Sequence, residues 1–226
     1  MAHLVWDWNG TLLDDLHLVL DATNAALRSV GGRPVSMEEH RRDFHRPISA
    51  YYSQVLGRPI GEDDFATLDQ VFHDVYRAGL AQCRLAPDAL TALGSWTGSQ
   101  SLLSMYFHRE LVPVVTRHGL DGHLRRVDGL RDRVGGGSKT PHLLAHLAAL
   151  DLAGPDCVLI GDSVDDADAA AAVGARIVLY AGGITHEARL RQTGLPVATT
   201  LVDAVSYASA AGPPVDGSPG PSRLAW

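Results

Sequence analysis

Two textures of hydrophobic spacing divide the chain. Over residues 15–30, Leu16, Val19, Leu20, Thr23 and Leu27 recur at helical intervals, and Gly31-Gly32 ends the run. Ser36-Met37-Glu38-Glu39 has the S-x-x-E form of a capping box, which predicts a second helix. Further helices are predicted over 47–56 and 62–82, separated by the break from Gly57 to Gly61. The stretch from about 15 to 84 is therefore expected to be nearly all helix, without a strand. Elsewhere short apolar runs alternate with helical ones. Strands are predicted at 2–7, 101–106, 157–162 and 176–180, with weaker ones at 126–130 and 196–199. Helices are predicted at 108–118, 139–150 and 165–173. This alternation predicts an α/β fold, a parallel sheet covered on both faces, with a helical insert after the first strand. The expected domains are a discontinuous core of 1–14 and 85–208 and a helical domain of 15–84. A Pro-, Gly- and Ser-rich tail at 209–226 is expected to be disordered.

Composition narrows the function. The 226 residues are 46% hydrophobic, enough for a substantial core. A net charge of -7 argues against gripping nucleic acid or an anionic membrane by charge. Cys83 and Cys157 form no CxxC pattern, so neither a disulfide framework nor a zinc site is expected, and a reducing, cytoplasmic setting fits. No signal peptide or membrane span is read. Oligomeric state is not legible. Lys139 is the single lysine among 19 Lys and Arg, which gives it weight.

Chemistry collects at four places. In ligand-binding sheets of this kind, sites form beyond the carboxyl ends of the strands. VWD, 5–7, and CVLIGD, 157–162, both end there on an aspartate. Asp7, in D-W-N-G-T, can act as a nucleophile on a phosphoryl group, with Gly10 turning the backbone, Thr11 adding a hydroxyl, and free N–H groups there for phosphate oxygens. The plainer reading is a carboxylate that caps a turn. Asp162, Asp165 and Asp166 lie within five residues, a density that favours a hard cation such as Mg2+. Helix capping accounts for one of them. Ser104, at the end of SLLSMY, offers a hydroxyl to a phosphoryl oxygen, with Ser101 as a competitor. Lys139 follows the glycine-rich Gly135-Gly136-Gly137-Ser138 and can neutralise charge in a transition state.

In this order the segments VWDWNGTLLDD, SLLSMY, GGGSKTPHLLAHL and CVLIGDSVDDADAAAAVGA resemble the haloacid dehalogenase superfamily, and the last looks like its phosphoglycolate phosphatase-like branch. The resemblance covers nearly all of the chain before the tail. It implies a Rossmann-like core, with 15–84 as an inserted all-helical C1 cap. It also implies an enzyme, a Mg2+-dependent phosphatase acting on a small phosphorylated substrate. Asp7 would form an aspartyl-phosphate. Asp7, the Asn9 main-chain carbonyl, Asp162 and Asp166 would hold the metal. Ser104 would bind the phosphoryl group, and Lys139 would bridge it to the nucleophile.

Asn9 departs from this pattern. Phosphatases of the family place an aspartate there to protonate the leaving oxygen and then activate water. General acid–base help is worth roughly 10²–10⁴ in rate, so its loss leaves room for a slow or selective catalyst that favours acyl or aryl phosphates. His17, His45 and His108 are candidate substitutes by location, although most of the 11 histidines are expected on the surface. Phosphonoacetaldehyde hydrolases carry D-W-A-G-T but need a cap lysine, which 15–84 lacks. Metal-free 2-haloacid dehalogenases do not explain the acidic cluster. The alternative of another class is a non-catalytic or very selective protein that binds a phosphorylated ligand or a partner. In the insert, Arg41, Arg42, Arg46 and Arg58 accompany Phe44, Tyr51 and Tyr52. An exposed arginine face over an aromatic core is the favoured expectation, a pocket for an acidic or aromatic substrate the second.

Overall fold

The structure, a computed structural model, describes residues 2–131 and 137–210. In chain order its elements begin with β1 (His3–Trp6), β2 (Leu13–Asp14), α1 (Leu16–Ser29), α2 (Met37–Asp43), α3 (Ile48–Leu56), α4 (Glu62–Gly79) and β3 (Arg84–Leu85). There follow α5 (Ala89–Ser95), β4 (Gln100–Phe107), α6 (His108–Arg117), β5 (Val127–Leu130), α7 (Thr140–Leu150) and β6 (Cys157–Gly161). The chain then forms α8 (Val164–Val173), β7 (Arg176–Tyr180), α9 (Glu187–Gln192), β8 (Val197–Ala198) and α10 (Leu201–Ala210).

Six strands form one sheet in the order β5-β4-β1-β6-β7-β8, every pairing parallel. Alternation along the strands builds two cores. Leu4, Trp6, Val158, Ile160 and Val178 face one side, under α5, α6 and α10, whereas Val5, Leu159, Ile177 and Leu179 face the other, under α7, α8 and α9. From β1 the chain builds outward to β4 and β5, then returns to β6 on the other side of β1. The order thus reverses at β1, and a crevice opens at the carboxyl ends of β4, β1 and β6.

The insert is helical as expected, with two differences. α4 ends at Gly79 in a 3₁₀ turn over Leu80–Gln82. At its borders β2 and β3 pair antiparallel, Leu13 opposite Leu85 and Asp14 opposite Arg84. Two-residue strands carry no periodicity, so neither was visible in sequence. The capping box is present: Ser36 accepts from Glu39 N and the Glu39 carboxylate from Ser36 N. α1 packs along α4, and Ala26, Leu27, Tyr51, Tyr52 and Leu68 form a third core. At the other end, α10 reaches Ala210, two residues into the expected tail, of which 211–226 lie outside the described residues together with Gly135 and Gly136. No described helix is long and apolar enough to cross a membrane.

Candidate active site

β1 delivers Asp7 and β6 delivers Asp162 to the crevice, and the first turn of α8 adds Asp165 and Asp166. One cavity of about 90 Å³ is lined by Asp7, Asn9, Gly10, Lys139, Asp162 and Asp166, six of the residues singled out in sequence. Lys139 Nζ donates to Asp7 at 2.6 Å and to Asp166 at 2.5 Å, in a setting where its side chain is 4% exposed. Ser163 caps α8, and Asp166 returns the bond to Ser163 N at 3.0 Å. Capping therefore accounts for one oxygen of Asp166, while the other meets Lys139. Asp165 faces Arg46 of the insert at 3.5 Å.

Electrostatics mark a deficit of positive charge. Burial lifts the Asp7 carboxyl to about 6, against the pull of Lys139 and with help from Asp166. Burial, then repulsion from Asp7 and Asp166, raises Asp162 well above the carboxylate range. Burial also opposes charge on Asp166, but Lys139 outweighs it and holds that carboxyl low. The Lys139 ammonium is likewise held charged by Asp166 and Asp7 against its burial. Oxygens of Asp7, Asp162 and Asp166 lie within 4.8 Å of one another. Two buried carboxylates and the partly exposed Asp7 against one ammonium, in an all-oxygen set, suit a hard divalent cation. Asp162 is fixed for such a role: Thr11 Oγ1 donates to it at 3.2 Å, and so does the Ile184 N–H. Gly10 has φ +69°, and a β-carbon there would lie 2.4 Å from Asp162 Oδ2, so a larger residue would displace the carboxylate.

The expected phosphate ligands differ from their sequence reading. Thr11 is buried, and its hydroxyl is spent on Asp162. The Gly10 N–H is not free, because it donates to Asp15 Oδ1 at 2.7 Å. Ser104 Oγ donates to Asn9 Oδ1 at 3.1 Å, behind the cavity wall. Its competitor Ser101 points into the interior, between His3 at 2.7 Å and His146 at 2.7 Å.

Asp15 and Tyr76 were missed. Asp15 stands at the N-cap of α1 without capping it. Its carboxylate instead accepts from Gly10 N, from the Asn9 amide at 2.8 Å and from Tyr76 Oη at 2.6 Å. Asn9 Nδ2 also reaches Tyr76 Oη at 2.7 Å. Both ends of the Asn9 side chain are therefore engaged, and α4 is tied to the Asp7 loop. Burial raises the Asp15 carboxyl. The Asp14-Asp15 pair was the available signal, but an aspartate before a helix reads as a cap.

None of His17, His45 and His108 lines this cavity. His45 bonds the Asp43 carbonyl and His108 accepts from Gly129 N. Of the 11 histidines, His3, His40 and His146 are buried, His17 is exposed and the other seven are partly exposed. The arginines divide. Arg42 and Arg58 are exposed and paired with Asp43 and Asp64. Arg41 turns inward to the carbonyls of Ala181 and Thr185, and Arg46 to Asp165. Beside the carboxylates lies a second cavity of about 140 Å³, between the insert and the end of β4, with Phe44, Tyr51, Tyr52 and Phe72 in its wall.

Comparison with known proteins agrees with the fold. Residues 136–206 match a family model described as HAD-hydrolase-like. No curated protein matches the sequence. Among solved structures, a predicted phosphoglycolate phosphatase from Haemophilus somnus 129pt is 18% identical with a TM-score of 0.73, over 92% of this chain and 98% of its own. A predicted phosphatase from Clostridium acetobutylicum is 13% identical with a TM-score of 0.78, over 92% and 98%. A conserved haloacid dehalogenase-like protein of unknown function from Agrobacterium tumefaciens C58 is 21% identical with a TM-score of 0.73, over 93% and 98%. The chain therefore has the haloacid dehalogenase fold and is similar to members of its phosphoglycolate phosphatase-like branch.

Proposed function

We propose that this chain is a Mg2+-dependent phosphohydrolase that acts on a small phosphorylated metabolite through an aspartyl-phosphate on Asp7. The observation that carries this reading is the Lys139 bridge between Asp7 and Asp166 beside the unbalanced carboxylate of Asp162. Asp7, Asp162, the Asn9 carbonyl and Asp166, the last directly or through water, would hold the cation. Bound there, it would offset phosphoryl charge and favour the ionised form of Asp7.

The chain's own groups account for the rest. An Asp7 oxygen attacks phosphorus, and the leaving oxygen departs with its electron pair. Lys139 keeps Asp7 aligned and counters the charge gathering on the phosphoryl oxygens. Water then attacks phosphorus, the bond to Asp7 breaks, and the carboxylate is restored as phosphate leaves. Residues 15–84 act as the cap that excludes water, a role supported by the Arg41, Arg46 and Tyr76 contacts to the core. The two free cysteines, Cys83 and Cys157, support a cytoplasmic setting.

The test is phosphate release from a panel of alkyl, aryl and acyl phosphates, with Mg2+ and with chelator. Activity that needs Mg2+ and disappears in Asp7→Asn is the expected result. A folded, Mg2+-binding protein that releases phosphate from no substrate sinks this reading in favour of a phospho-ligand-binding protein.

A further inference from the structure

Resting on the phosphohydrolase reading of the same site, the geometry points to a substrate class: an aryl phosphomonoester whose single aromatic ring occupies the cavity between the insert and the end of β4. Two independent observations meet here. The first is the cavity itself. Phe44, Tyr51, Phe72, Tyr106 and Phe107 all line it. Phe72 lies parallel to Tyr76 at 5.8 Å between ring centroids, and Tyr106 stands edge-on to Tyr76 at 5.3 Å, so the wall rings brace one another as an aromatic cluster. Its volume of about 140 Å³ is close to the roughly 150 Å³ of an engineered apolar cavity that takes up benzene. Asn9, Arg46, Met105 and Ile184 line both this cavity and the one holding Asp7. A phosphoryl group at Asp7 thus has a ring-sized apolar space on its leaving-group side.

The second observation is Asn9. Its amide donates to Asp15 and Tyr76, and its oxygen accepts from Ser104, so it has no proton to give a leaving oxygen. A phenol ionises near pH 10, whereas an alkanol resembles water at about 15.7, so an aryloxide departs unprotonated far more readily. In the first step the Asp7 oxygen–phosphorus bond forms and the phosphorus–aryl oxygen bond breaks. The aryloxide keeps the electron pair and takes its proton from solvent. In the second step water adds to phosphorus, the Asp7 oxygen–phosphorus bond breaks, and dihydrogen phosphate leaves. Apolar walls and a missing acid answer the same demand: a leaving group that is flat, apolar and a good anion.

The first measurement is calorimetric binding of phenylphosphonate and methylphosphonate to the full chain with Mg2+, a pair that differ only in the ring and are not hydrolysed. Seating the ring should tighten binding by about 30-fold or more. Ile48→Trp, which fills the ring cavity, should remove that preference while methylphosphonate affinity moves less than about twofold. Equal affinities in the wild type overturn the assignment whether or not the protein hydrolyses other phosphates, and they need no variant to fold. Turnover is the second measurement. Across substituted phenyl phosphates, kcat/KM should rise steadily as the phenol becomes more acidic, and ethyl phosphate should be at least about 10²-fold slower than phenyl phosphate. Ethyl phosphate hydrolysed as fast as phenyl phosphate also overturns the assignment. Ring-selective binding without phosphate release from any substrate would keep the aromatic ligand class and refute the hydrolase reading alone.

Discussion

Two buried polar networks lie within this core, and only one has the makings of chemistry. Ser101, His146 and Asp128 are spaced like a hydrolase triad: Ser101 Oγ is 2.7 Å from His146 Nε2, and His146 Nδ1 is 2.8 Å from Asp128. Yet Ser101 is fully buried and also bonds His3, whose other ring nitrogen meets Ser99. Burial keeps both histidines neutral, lowering His3 to about 4 and His146 below its usual range. Asp128 is held low because Arg126 and His146 outweigh its burial. Every group has a partner, and Ser101 lines neither of the two cavities described above. The network around Asp7 is the reverse: its charges do not cancel, and two cavities open on it. Donor–acceptor geometry alone does not distinguish a site from a strut. Unbalanced charge with space beside it does.

The contrast is broken most sharply by paired substitutions. Asp7→Asn should reduce phosphate release by about 10⁴-fold or more, as loss of a nucleophile does, with little change in the urea midpoint. Ser101→Ala should leave release within about twofold while costing roughly 1–3 kcal/mol, because it strands two buried imidazoles. Loss of turnover in a stably folded Ser101→Ala protein would dissolve the distinction.

Next in size is Lys139→Met. Removing the cation leaves Asp7 and Asp166 buried and unpaired, at a cost of about 3–5 kcal/mol in chelator. Added Mg2+ should recover part of that loss, so the variant's midpoint should depend on Mg2+ more steeply than the wild type's. A midpoint indifferent to Mg2+ would argue against a cation among these carboxylates.

A smaller effect separates Asn9 from the aspartate that the resembled phosphatases carry there. Asn9→Asp alone brings two carboxylates together where the amide now sits 2.8 Å from Asp15, and should cost about 2 kcal/mol. Adding Asp15→Asn restores a donor between them. The double variant should recover most of the stability and hydrolyse alkyl phosphates up to about 10²-fold faster than wild type. If the single variant is as stable as wild type, the Asn9–Asp15 bond does not hold the loop.

The smallest effect is that of pH on the closed network. The folded His3 sits near 4, below its ordinary 6.5, so the unfolded chain takes up a proton that the folded one refuses. Its contribution is complete above about 6.5 and is lost as pH falls toward 4. Urea midpoints of wild type and His3→Gln should therefore fall with different slopes across that window, the wild type more steeply. Parallel slopes would mean that His3 titrates normally.

Much of this was legible because long elements carry period. The six sheet strands, the four insert helices and the ligand edge follow from alternation and helical spacing, and Asp7, Lys139, Asp162 and Asp166 do meet. What was hidden depended on partners far along the chain. Tyr76 lies 61 residues from Asp15, and nothing near either residue announces their bond. Thr11 and Ser104 have the residue types of phosphate ligands, yet folding hands their hydroxyls to Asp162 and Asn9. Arg42 and Arg46 look alike in RRDFHRP, and only the turn of α2 and its exit sends one to solvent and the other to Asp165.

The small ribbon of β2 and β3 has a consequence for how the chain threads itself. About 70 residues leave and re-enter the sheet through neighbouring points, Leu13 opposite Leu85. Once that pair forms, Asp7 and β4 are joined as if by a short hairpin, however long the excursion between them. Closing a loop of that length instead of a four-residue turn costs only about 2–3 kcal/mol of chain entropy, because the penalty grows with the logarithm of length. The ribbon thus works as a clasp on a locket: what hangs beyond it can be enlarged, trimmed or exchanged while the strand order behind it stays closed.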